Sequence, residues 1–421
     1  MTQHFDVVVV GAGPGGMAAA TVAAEAGRRV CVMDDNPAAG GQIWRGATVA
    51  HGSPEARQWV KRLLGAGCAI WPGMRVVAAV DERVLRVEGS EGAWDVAWGK
   101  LILATGARER FLPFPGWTLP GVMGAGAAQA FLKSGLEVCG RRAVVAGSGP
   151  LLLAVGAALR KNGAEVAAIC EQAPLARLVE FGWGLWRHPE KLAEGWRYRV
   201  DARFAPFHAN CWVVRADGGE RVERVTLTNG HRRWVVECDL LACGFHLVPN
   251  LELPRLLRCE VKDGLVSVDA RQMSSRKDVF CVGEITGVGG LEKALVEGEI
   301  AGWAAADDER RVLELQPRWK KQKHFAERLG RAFALRSELR SLPEARTIVC
   351  RCEDVAHETV CGRRGWRDAK LHTRIGMGPC QGRVCGGAAE FLFGWEIRET
   401  RPPVFPATSA AMAAGVEKSG E

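Results

Sequence analysis

The chain opens with apolar runs separated by small residues. Val7–Val10 is wholly apolar, which is typical of a strand buried on both faces of a parallel sheet. The sequence GAGPGG follows, and then an alanine-rich run to Ala26 predicts a helix. A second apolar run, Arg29–Met33, predicts the next strand and ends on Asp34. Together they predict a strand–turn–helix–strand unit of about 30 residues, the unit that opens many doubly wound folds.

The glycines of this unit have the GxGxxG spacing of a dinucleotide-binding loop. Gly11 permits the tight turn, Gly13 lets a pyrophosphate approach the backbone, and Gly16 lets helix and strand pack closely. The helix N-terminus offers N–H groups and a positive dipole end to phosphates. Asp34 lies where a carboxylate accepts hydrogen bonds from a ribose. The alternative, a glycine-rich turn in another kind of α/β protein, does not explain the acid and the two flanking strands.

Apolar runs and turn residues also divide the rest of the chain. Lys100–Gly106 predicts another buried strand, and the Pro/Gly-rich crossing Pro113–Gly124 indicates a domain boundary. Asp239–Phe245 repeats the pattern of the first strand end and is expected to close a second domain. Leu315–Leu342 has helical periodicity. Beyond Glu396, the sequence predicts an extended segment and a loose end.

The opening unit recurs at Ala143–Glu171 with its first two glycines in place. Leu152 stands where the third glycine belongs, and Cys170 stands at the ribose-acid position. A leucine there should hold the helix away from the strand and crowd a pyrophosphate. The repeat therefore predicts a second doubly wound domain with a weakened ligand site, and it leaves open whether NAD or ATP binds there.

A third nucleotide-type element lies at Asp278–Gly302. A strand runs into Gly283 and Glu284, a glycine-rich turn follows, and a helix begins at about Leu291. Glu284 is placed to bond a ribityl chain. The N-terminus of such a helix can face the pyrimidine edge of a flavin and stabilise the anionic reduced ring. A loop before a surface helix is the alternative, and the N-terminal unit argues against it.

Composition excludes several classes of protein. The 421 residues suffice for two or three domains, and 48% hydrophobic with 25% charged residues is typical of a soluble globular protein. The formal charge of +8 is spread along the chain, which argues against nucleic-acid binding. Val7–Ala24 fits the strand–turn–helix unit better than a membrane span. We see no basic leader before the first strand, so we expect a cytoplasmic location.

The fourteen cysteines indicate free thiols and a metal site rather than disulfides. Cys350 and Cys352 form one close pair, and Cys380 and Cys385 form another, so four thiolates can meet at one point. Glycines around the second pair leave room for sulfides and free backbone N–H groups to bond them. Structural zinc prefers wider pairs than the single-residue gap of the first. We therefore favour a [2Fe–2S] cluster over zinc and over no metal, and do not expect Cys361 to be a ligand.

Several of these motifs occur together in one family that the chain resembles. They are GAGPGG followed by DNPAAGGQ, the LPGVM crossing, VGEITGVGG, and CRCEDV…TRIGMGPCQGRVC. The chain is similar to the FAD-binding subunit of heteromeric flavoprotein amino-acid or opine dehydrogenases. Opine oxidases, D-hydroxyproline dehydrogenase, dye-linked proline dehydrogenases and hydrogen cyanide synthase are relatives of that subunit. The resemblance covers nearly the whole chain, and the C-terminal cysteine motif is its most specific part.

The resemblance implies an α/β fold of two linked doubly wound dinucleotide-binding domains, like that of glutathione reductase. A small C-terminal helical module, similar to bacterioferritin-associated ferredoxin, would hold the [2Fe–2S] cluster. The implied parts are a discontinuous FAD domain (1–112 and 244–316), an NAD-like domain (113–243), a helical linker (317–345), the cluster module (346–398) and a tail (399–421). The implied FAD-binding residues are Gly11, Gly13, Pro14, Gly15, Gly16, Asp34, Asp35, Gly41, Gln42, Thr105, Gly106, Gly283, Glu284 and Leu291. The implied cluster ligands are Cys350, Cys352, Cys380 and Cys385.

The resemblance also implies partners. The amine would be oxidised on a partner flavoprotein subunit, with FMN at the subunit interface in some relatives. The resemblance is also compatible with peripheral contact between the protein and the inner face of the membrane, and with an additional small ferredoxin-like subunit. None of the nine histidines lies in a motif that supplies a substrate base; His246 is the best placed, and a structural role explains it more simply. We therefore expect electron transfer on this chain, through the cluster and FAD to a quinone or dye-like acceptor.

Two alternatives remain at this stage. One is a stand-alone NAD(P)H-dependent flavin reductase whose second site tolerates Leu152. The other is an assembly subunit whose nucleotide sites are mainly structural.

Overall fold

A computed structural model of the chain describes residues 2–45, 53–203, 205–397 and 400–414. The strands are β1 (Gln3–Val10), β2 (Val30–Asp34), β3 (Ala69–Pro72), β4 (Arg75–Asp81), β5 (Val84–Gly89), β6 (Gly92–Leu103), β7 (Ala107–Glu109), β8 (Val122–Gly124), β9 (Arg142–Ser148), β10 (Glu165–Glu171), β11 (Phe207–Ala209), β12 (Trp212–Asp217), β13 (Arg224–Thr228), β14 (Arg233–Glu237), β15 (Leu240–Phe245), β16 (Leu247–Pro249), β17 (Val261–Lys262), β18 (Leu265–Val266), β19 (Val279–Cys281), β20 (Ile348–Cys350) and β21 (Val355–Ala356). The α-helices are α1 (Pro14–Glu25), α2 (Pro54–Gly65), α3 (Ala125–Lys133), α4 (Leu151–Lys161), α5 (Leu175–Gly184), α6 (Pro189–Asp201), α7 (Glu252–Leu256), α8 (Leu291–Ala305), α9 (Glu309–Ala332), α10 (His357–Val360), α11 (Trp366–Thr373), α12 (Cys385–Phe393) and α13 (Ser409–Ala413).

The chain divides into two compact units. The first comprises Met1–Arg108, Pro249–Glu327 and Arg398–Glu421, and the second comprises Glu109–Val248 and Arg328–Ile397. Each contains a doubly wound parallel sheet, so the predicted α/β class with two dinucleotide-type folds is confirmed. No helix in the described ranges combines the length and apolarity needed to span a bilayer.

The first unit is built on a seven-stranded sheet. The order is β3-β2-β1-β6-β5-β4, with β19 also beside β6. Strands β1, β2, β3 and β19 run parallel to their neighbours, whereas β4, β5 and the start of β6 form an antiparallel extension. Successive valines of β1 point to opposite faces: Val7 and Val9 pack with α1 and α8, and Val8 and Val10 pack in the other layer. Both faces are covered, and the strand is therefore apolar throughout.

The second unit has a five-stranded parallel sheet of order β11-β10-β9-β15-β8. Val145 of β9 packs on the side of α3 and α4, and Val144 packs on the side of the antiparallel sheet β12-β13-β14. A smaller core in the same unit joins the β20–β21 pair to helices α10, α11 and α12. That core contains two of the predicted cluster cysteines, Cys350 and Cys385.

The structure corrects two predictions about the C-terminal third. The helix predicted over Leu315–Leu342 begins earlier, at Glu309, and ends at Ala332; after a break, a short 3-10 helix covers Ser337–Ser341. The loose end predicted for the Ala/Ser tail is wrong up to residue 414, because Ser409–Ala413 form α13 and Ala411 is buried. The extended segment before it is also held in place. Val404 is buried and its N–H donates to Val77, because this segment packs on the sheet of the first unit. Residues 415–421 lie outside the described ranges.

Candidate functional site

The first glycine loop lies where β1 meets α1, at the carboxyl edge of the parallel sheet. Gly11 has φ +106°, and a Cβ there would lie 2.3 Å from the carbonyl oxygen of Ala104. A Cβ at Gly16 would lie 1.8 Å from the carbonyl oxygen of Gly11. Both positions therefore require glycine, since no side chain fits without moving backbone. This is the turn and the close helix–strand packing expected from the spacing.

The N-terminus of α1 leaves room for a ligand. Gly13 caps the helix, Pro14 is its first residue, and the nearest atom to a Cβ on Gly13 would be the Cα of Gly41 at 4.0 Å. Gly15 faces inward, because a Cβ there would approach the carbonyl oxygen of Ala294 at 3.1 Å. Gly41 has φ +58° and brings its loop beside the helix end. The predicted glycines are thus brought together around the free N–H groups of α1.

The predicted ribose acid, Asp34, lies next to this loop. Its Oδ2 accepts the N–H of Ala12 at 2.6 Å, and its Oδ1 accepts the backbone N–H of Asn36 at 2.8 Å. Each carboxylate oxygen has further lone pairs for a ribose hydroxyl. Asp35 is exposed, and Gln42 is exposed and accepts a hydrogen bond from Arg45 at 2.9 Å. Asp34 is therefore fixed by the protein, whereas the other two residues remain on the surface.

A residue that sequence reasoning missed, Asn250, fixes the Thr105–Gly106 segment. The side-chain amide of Asn250 donates to the backbone carbonyl of Thr105 at 2.8 Å. The backbone carbonyl of Asn250 accepts a hydrogen bond from the Thr105 hydroxyl at 2.9 Å. Its backbone N–H donates to Gly106 at 3.0 Å. Arg108 in turn donates to the Asn250 side chain at 2.7 Å. No local signal marks Asn250, because it lies 145 positions away in sequence.

The turn between β19 and α8 carries an unsatisfied acid. Glu284 Oε1 accepts the N–H of Gly290 at 3.0 Å, just before α8 begins at Leu291. Its Oε2 is buried and has no hydrogen-bond partner among the described residues. Burial raises the pKa of Glu284, and the positive charge of Lys293 opposes that rise. A buried orphan oxygen needs a donor, and a ribityl hydroxyl of a flavin would supply one.

A buried ion pair beneath this turn was also missed. Lys293 and Glu297 on α8 are both almost fully buried and lie 2.8 Å apart, nitrogen to oxygen. Lys293 Nζ also donates to the carbonyl of Gly283 at 3.0 Å, and the Gly283 N–H donates to Glu297 at 2.9 Å. The indole of Trp319 donates to the second oxygen of Glu297 at 3.2 Å. The available signal was a lysine and a glutamate four residues apart in a helix that is mostly small and apolar.

The residues of the first unit fit FAD. Three features support the fit: an open helix N-terminus, a ribose acid beside it, and the orphan oxygen of Glu284. Gly298 and Gly302 also let α8 approach α1 closely, since a Cβ at either would fall within 2.5 Å of atoms of α1. Two helix N-termini therefore meet the ends of β1, β6 and β19 in one unit. Such an arrangement suits the phosphates and the flavin of a dinucleotide.

The second glycine loop is occupied by its own chain. The N–H of Gly149, the counterpart of Gly13, donates to Oε2 of Glu171 at 2.7 Å. Oε1 of Glu171 accepts the N–H of Ala173 at 2.9 Å. Burial raises the pKa of Glu171 to about 7, and these backbone N–H groups oppose the rise. The N–H that would receive a phosphate therefore already has a protein carboxyl group as its partner.

The segment after α9 covers the same loop. The Ser148 hydroxyl donates to the carbonyl of Phe333 at 2.9 Å. Gln172, fully buried, donates to Ser148 at 3.0 Å and accepts the N–H of Arg336 at 3.1 Å. The Arg336 guanidinium stacks over the indole of Trp212 at 4.2 Å. These contacts therefore hold residues 333–336 over the second loop. The spacing of the sequence motif could not reveal this arrangement.

Leu152 fills the position of the third glycine in this loop. Its side chain is buried in the core shared by β9, α3 and α4. Helix α4 begins at Leu151, after Pro150, whereas α1 begins directly after Gly13. The leucine thus contributes to the core of the second unit rather than to a ligand surface.

The four predicted cluster cysteines lie as two thiol pairs in the second unit: Cys350 and Cys385 belong to its small core, whereas Cys380 is half-buried and Cys352 is exposed. The thiols of Cys350 and Cys385 form one hydrogen-bonded pair, and those of Cys352 and Cys380 form the other. The bond with Cys385 and backbone N–H groups that include Gly376 lower the pKa of Cys350 to about 6, while the same bond and burial raise the pKa of Cys385. Within the described ranges, no group of three or more His, Cys, Asp or Glu side chains is arranged to hold a metal ion. Four thiols with N–H donors nevertheless form a donor set that iron–sulfur clusters use.

His246 has no arrangement suited to substrate chemistry. It is half-buried, with φ +72°, and its Nδ1 accepts the N–H of Leu247 at 2.9 Å. Burial lowers its pKa, and the nearby Arg110 lowers it further. The backbone hydrogen bond at Nδ1 favours the structural role of His246 over that of a substrate base.

Comparisons with known proteins extend this picture. The family described as pyridine nucleotide-disulphide oxidoreductase matches residues 5–309. Subunit HcnB of hydrogen cyanide synthase from Pseudomonas aeruginosa is 30% identical, over 90% of each chain. An opine oxidase subunit from Agrobacterium tumefaciens is 30% identical, over 96% of this chain and 88% of that one. The crystal structure of L-proline dehydrogenase from P. horikoshii has a TM-score of 0.68 at 17% identity, over 98% of this chain and 80% of that chain. At that identity the structural likeness shows the fold alone.

Proposed function

The chain belongs to the pyridine nucleotide-disulphide oxidoreductase family, and from this premise we propose that it is the electron-transferring FAD subunit of a heteromeric amino-acid or opine-type dehydrogenase. The family implies FAD, and the relatives are named as subunits of hydrogen cyanide synthase and of opine oxidase. In this proposal the amine is oxidised on a partner flavoprotein subunit. This chain passes the electrons to a quinone or dye-like acceptor.

One observation carries the proposal: the first glycine loop is open and the second is closed. The N-terminus of α1 has room beside Gly13, and Glu284 offers a buried oxygen that has no partner in the part of the chain that the structure describes. In the second unit, Glu171 binds the N–H of Gly149, and the segment at Phe333 bonds the same loop. A reductase driven by NAD(P)H needs both sites. A chain that keeps only the first must receive its electrons elsewhere, which favours a partner subunit.

The residues of the first unit have defined tasks in this proposal. FAD, when bound there, supplies the redox chemistry that the polypeptide lacks. Gly13 and the N-terminus of α1 bind its phosphates, and Asp34 binds its ribose. Glu284 orients the ribityl chain, and α8 directs the positive end of its dipole toward the ring. Lys293 and Glu297 hold the turn that carries Glu284.

The small core of the second unit is proposed to hold the [2Fe–2S] cluster on Cys350, Cys352, Cys380 and Cys385. The cluster would supply one-electron transfer. Backbone N–H groups around Cys350 support this choice, because N–H bonds to sulfur stabilise a clustered thiolate. An FMN at the subunit interface would belong to the complex rather than to this chain alone.

The function is tested by separating the subunits. We expect the isolated chain, loaded with its flavin, to show no dye-linked oxidation of L-proline, hydroxyproline or an opine. Adding the partner flavoprotein should restore turnover with the amine that the complex uses. Oxidation of an amine by this chain alone, at the rate of the complex, would contradict the proposal.

The cluster is tested by metal analysis. We expect about two irons and two acid-labile sulfides per chain, and we expect Cys380→Ser to lose most of both. Cys361→Ser is the matched control, because Cys361 is exposed in the same module and is not a proposed ligand. Zinc in place of iron, or equal iron in the two variants, would contradict the assignment.

A further inference from the structure

The second unit exposes an unusual number of large apolar side chains on α5, α6 and the turn between them. Eight of the seventeen large hydrophobic side chains that are exposed in the described ranges fall between residues 175 and 207. Trp183, Trp186 and Trp196 are 79%, 71% and 65% exposed. We call the tryptophan face the set Leu175, Val179, Trp183, Trp186, Leu192, Trp196 and Val200. Isolated exposed apolar residues are normal, but a cluster that includes three indoles is a signal of binding.

Helix α5 is apolar on two sides. Its inward side packs Leu178 and Phe181 against Phe333, in a small core with the end of α9. Leu175, Val179 and Trp183 recur at intervals of four on the outward side and are exposed. A helix side that faces only water is normally polar, so contact with solvent does not explain these apolar residues.

Helix α6 reverses the usual amphipathic pattern. It packs against α4, yet none of its described side chains is buried. Its half-buried positions are polar: the Tyr198 hydroxyl and the Lys191 ammonium both donate to Glu194, at 3.0 and 3.1 Å. Its exposed positions carry the apolar residues, Leu192, Trp196 and Val200. A surface helix normally turns apolar residues inward, so the outward side of α6 is built to meet another apolar surface.

The area of the tryptophan face matches a protein interface. A fully exposed aromatic ring offers up to about 250 Å², so the three indoles at these exposures present roughly 500 Å². That figure alone is near the upper end for the largest apolar patch of a monomer, about 300–600 Å². With the four aliphatic side chains, the face approaches the roughly 800 Å² that each partner contributes to a standard interface.

The charges around the face favour a protein over a membrane. The two helices and the turn after them mix both signs: basic Arg177, Lys191, Arg197, Arg199 and Arg203, and acidic Glu180, Glu190, Glu194 and Asp201. An anionic lipid surface attracts helices whose polar side is basic, and the four carboxylates oppose that attraction. Tryptophan together with arginine is the composition of energetic hot spots between proteins.

We propose that the tryptophan face is the docking surface for the amine-oxidising partner subunit. This inference rests on the proposed function, because it takes its occupant from it. The partner is expected to present apolar pockets that receive the indoles of Trp183 and Trp196, within a rim that mixes acidic and basic side chains.

The test compares two double variants of the full chain in its native cells. Trp183→Glu with Trp196→Glu places two charges in the face. Leu64→Glu with Leu313→Glu is the matched control, since both leucines are similarly exposed but lie in the first unit. The tagged chains are purified, and the co-purifying chain is accepted as the partner only if it carries its own flavin and restores amine-dependent dye reduction. FAD content and melting temperature show that each variant is folded.

We expect equal amounts of the partner to co-purify with the wild type and with the control. At least about tenfold less partner should co-purify with the tryptophan variant, while its FAD content stays unchanged. In the wild-type complex, hydroxyl-radical oxidation of Trp183 should fall severalfold relative to the isolated chain. Retention of the partner by the folded tryptophan variant would overturn the inference. Two other results would identify a different occupant and would overturn the inference in the same way. One is a doubled mass of the isolated chain, which would mean that the face joins two copies. The other is binding of the face to vesicles of phosphatidylglycerol and phosphatidylethanolamine. A wild-type chain that brings down no amine-oxidising flavoprotein would overturn the proposed function itself.

Discussion

The two glycine loops of this chain begin alike, GAGPGG and GSGPLL, and end in opposite arrangements. In the first, Gly16 lets α1 approach Gly11, and the helix N-terminus remains open. In the second, Leu152 is part of the core and Glu171 binds the N–H of Gly149. The same backbone unit thus serves once as a ligand site and once as a structural element. The difference lies in side chains from outside the loop, which decide whether its N–H groups remain available.

The largest expected effect comes from giving the first loop the leucine that the second loop has at its third glycine position. Gly16→Leu places a side chain 1.8 Å from the carbonyl of Gly11, so the backbone must move. We expect the purified chain to retain less than about a tenth of its FAD, measured by flavin released on denaturation. Gly65→Leu is the control, because a Cβ on Gly65, at the end of α2, meets nothing within 4 Å. Full FAD content in the Gly16 variant would show that close helix–strand packing is not required.

The next largest effect concerns the buried ion pair that supports the turn between β19 and α8 in the first unit. Lys293→Met leaves Glu297 buried without its cation, and loss of one partner of a buried pair costs about 3–5 kcal/mol. Urea unfolding should therefore show a large drop in stability. Lys293→Met combined with Glu297→Gln should recover part of the loss, because the unpaired charge is removed. Arg310→Met, at an exposed ion pair on α9, should change stability by less than about 1 kcal/mol. Equal effects of the Lys293 and Arg310 variants would contradict the role of the buried pair.

Leu152→Ala tests the second loop from the opposite direction. The leucine is 1% exposed, so its truncation should cost about 2–5 kcal/mol of unfolding free energy. We expect no gain in NADH affinity by fluorescence titration, since Glu171 and the segment at Phe333 still occupy the loop. A variant that binds NADH at micromolar concentration would mean that the leucine alone closes the site.

Glu171→Gln tests the carboxyl group in that loop, with a smaller effect that depends on pH. Burial raises the pKa of Glu171 from 4.5 to about 7, so the folded state holds a proton that the unfolded state releases. Wild-type stability from this group therefore falls as pH rises from about 4.5 to about 7, by at most about 3 kcal/mol. The variant lacks this fall. The unfolding free energies of wild type and variant are measured at pH 5 and pH 7.5. Relative to the wild type, the variant should be more stable at pH 7.5 than at pH 5. A difference that is constant with pH would contradict the buried, protonated state.

Local sequence was sufficient to predict the parts of the site that local backbone geometry determines. Gly11 and Gly16 are required by contacts within one strand–turn–helix unit, and Asp34 by the end of the next strand. Contacts between distant segments could not be read in this way. Asn250 reaches Thr105 across 145 positions, and Phe333 reaches Ser148 across 185.

The surface features depended on the same kind of information. The outward apolar side of α6 is visible only once the side that faces α4 is known. The Ala/Ser tail is held by a contact between Thr408 and Glu88, 320 positions earlier, so the loose end expected from composition was wrong there.

The central claim is that the first nucleotide site works and the second does not. The most direct measurement is an anaerobic titration of the isolated chain with NADH and then dithionite, followed by visible absorbance. We expect flavin and iron–sulfur absorbance that NADH leaves unchanged, even in excess, and that dithionite bleaches. Prompt bleaching by NADH would contradict the claim, because the second loop would then have to bind a pyridine nucleotide despite Glu171.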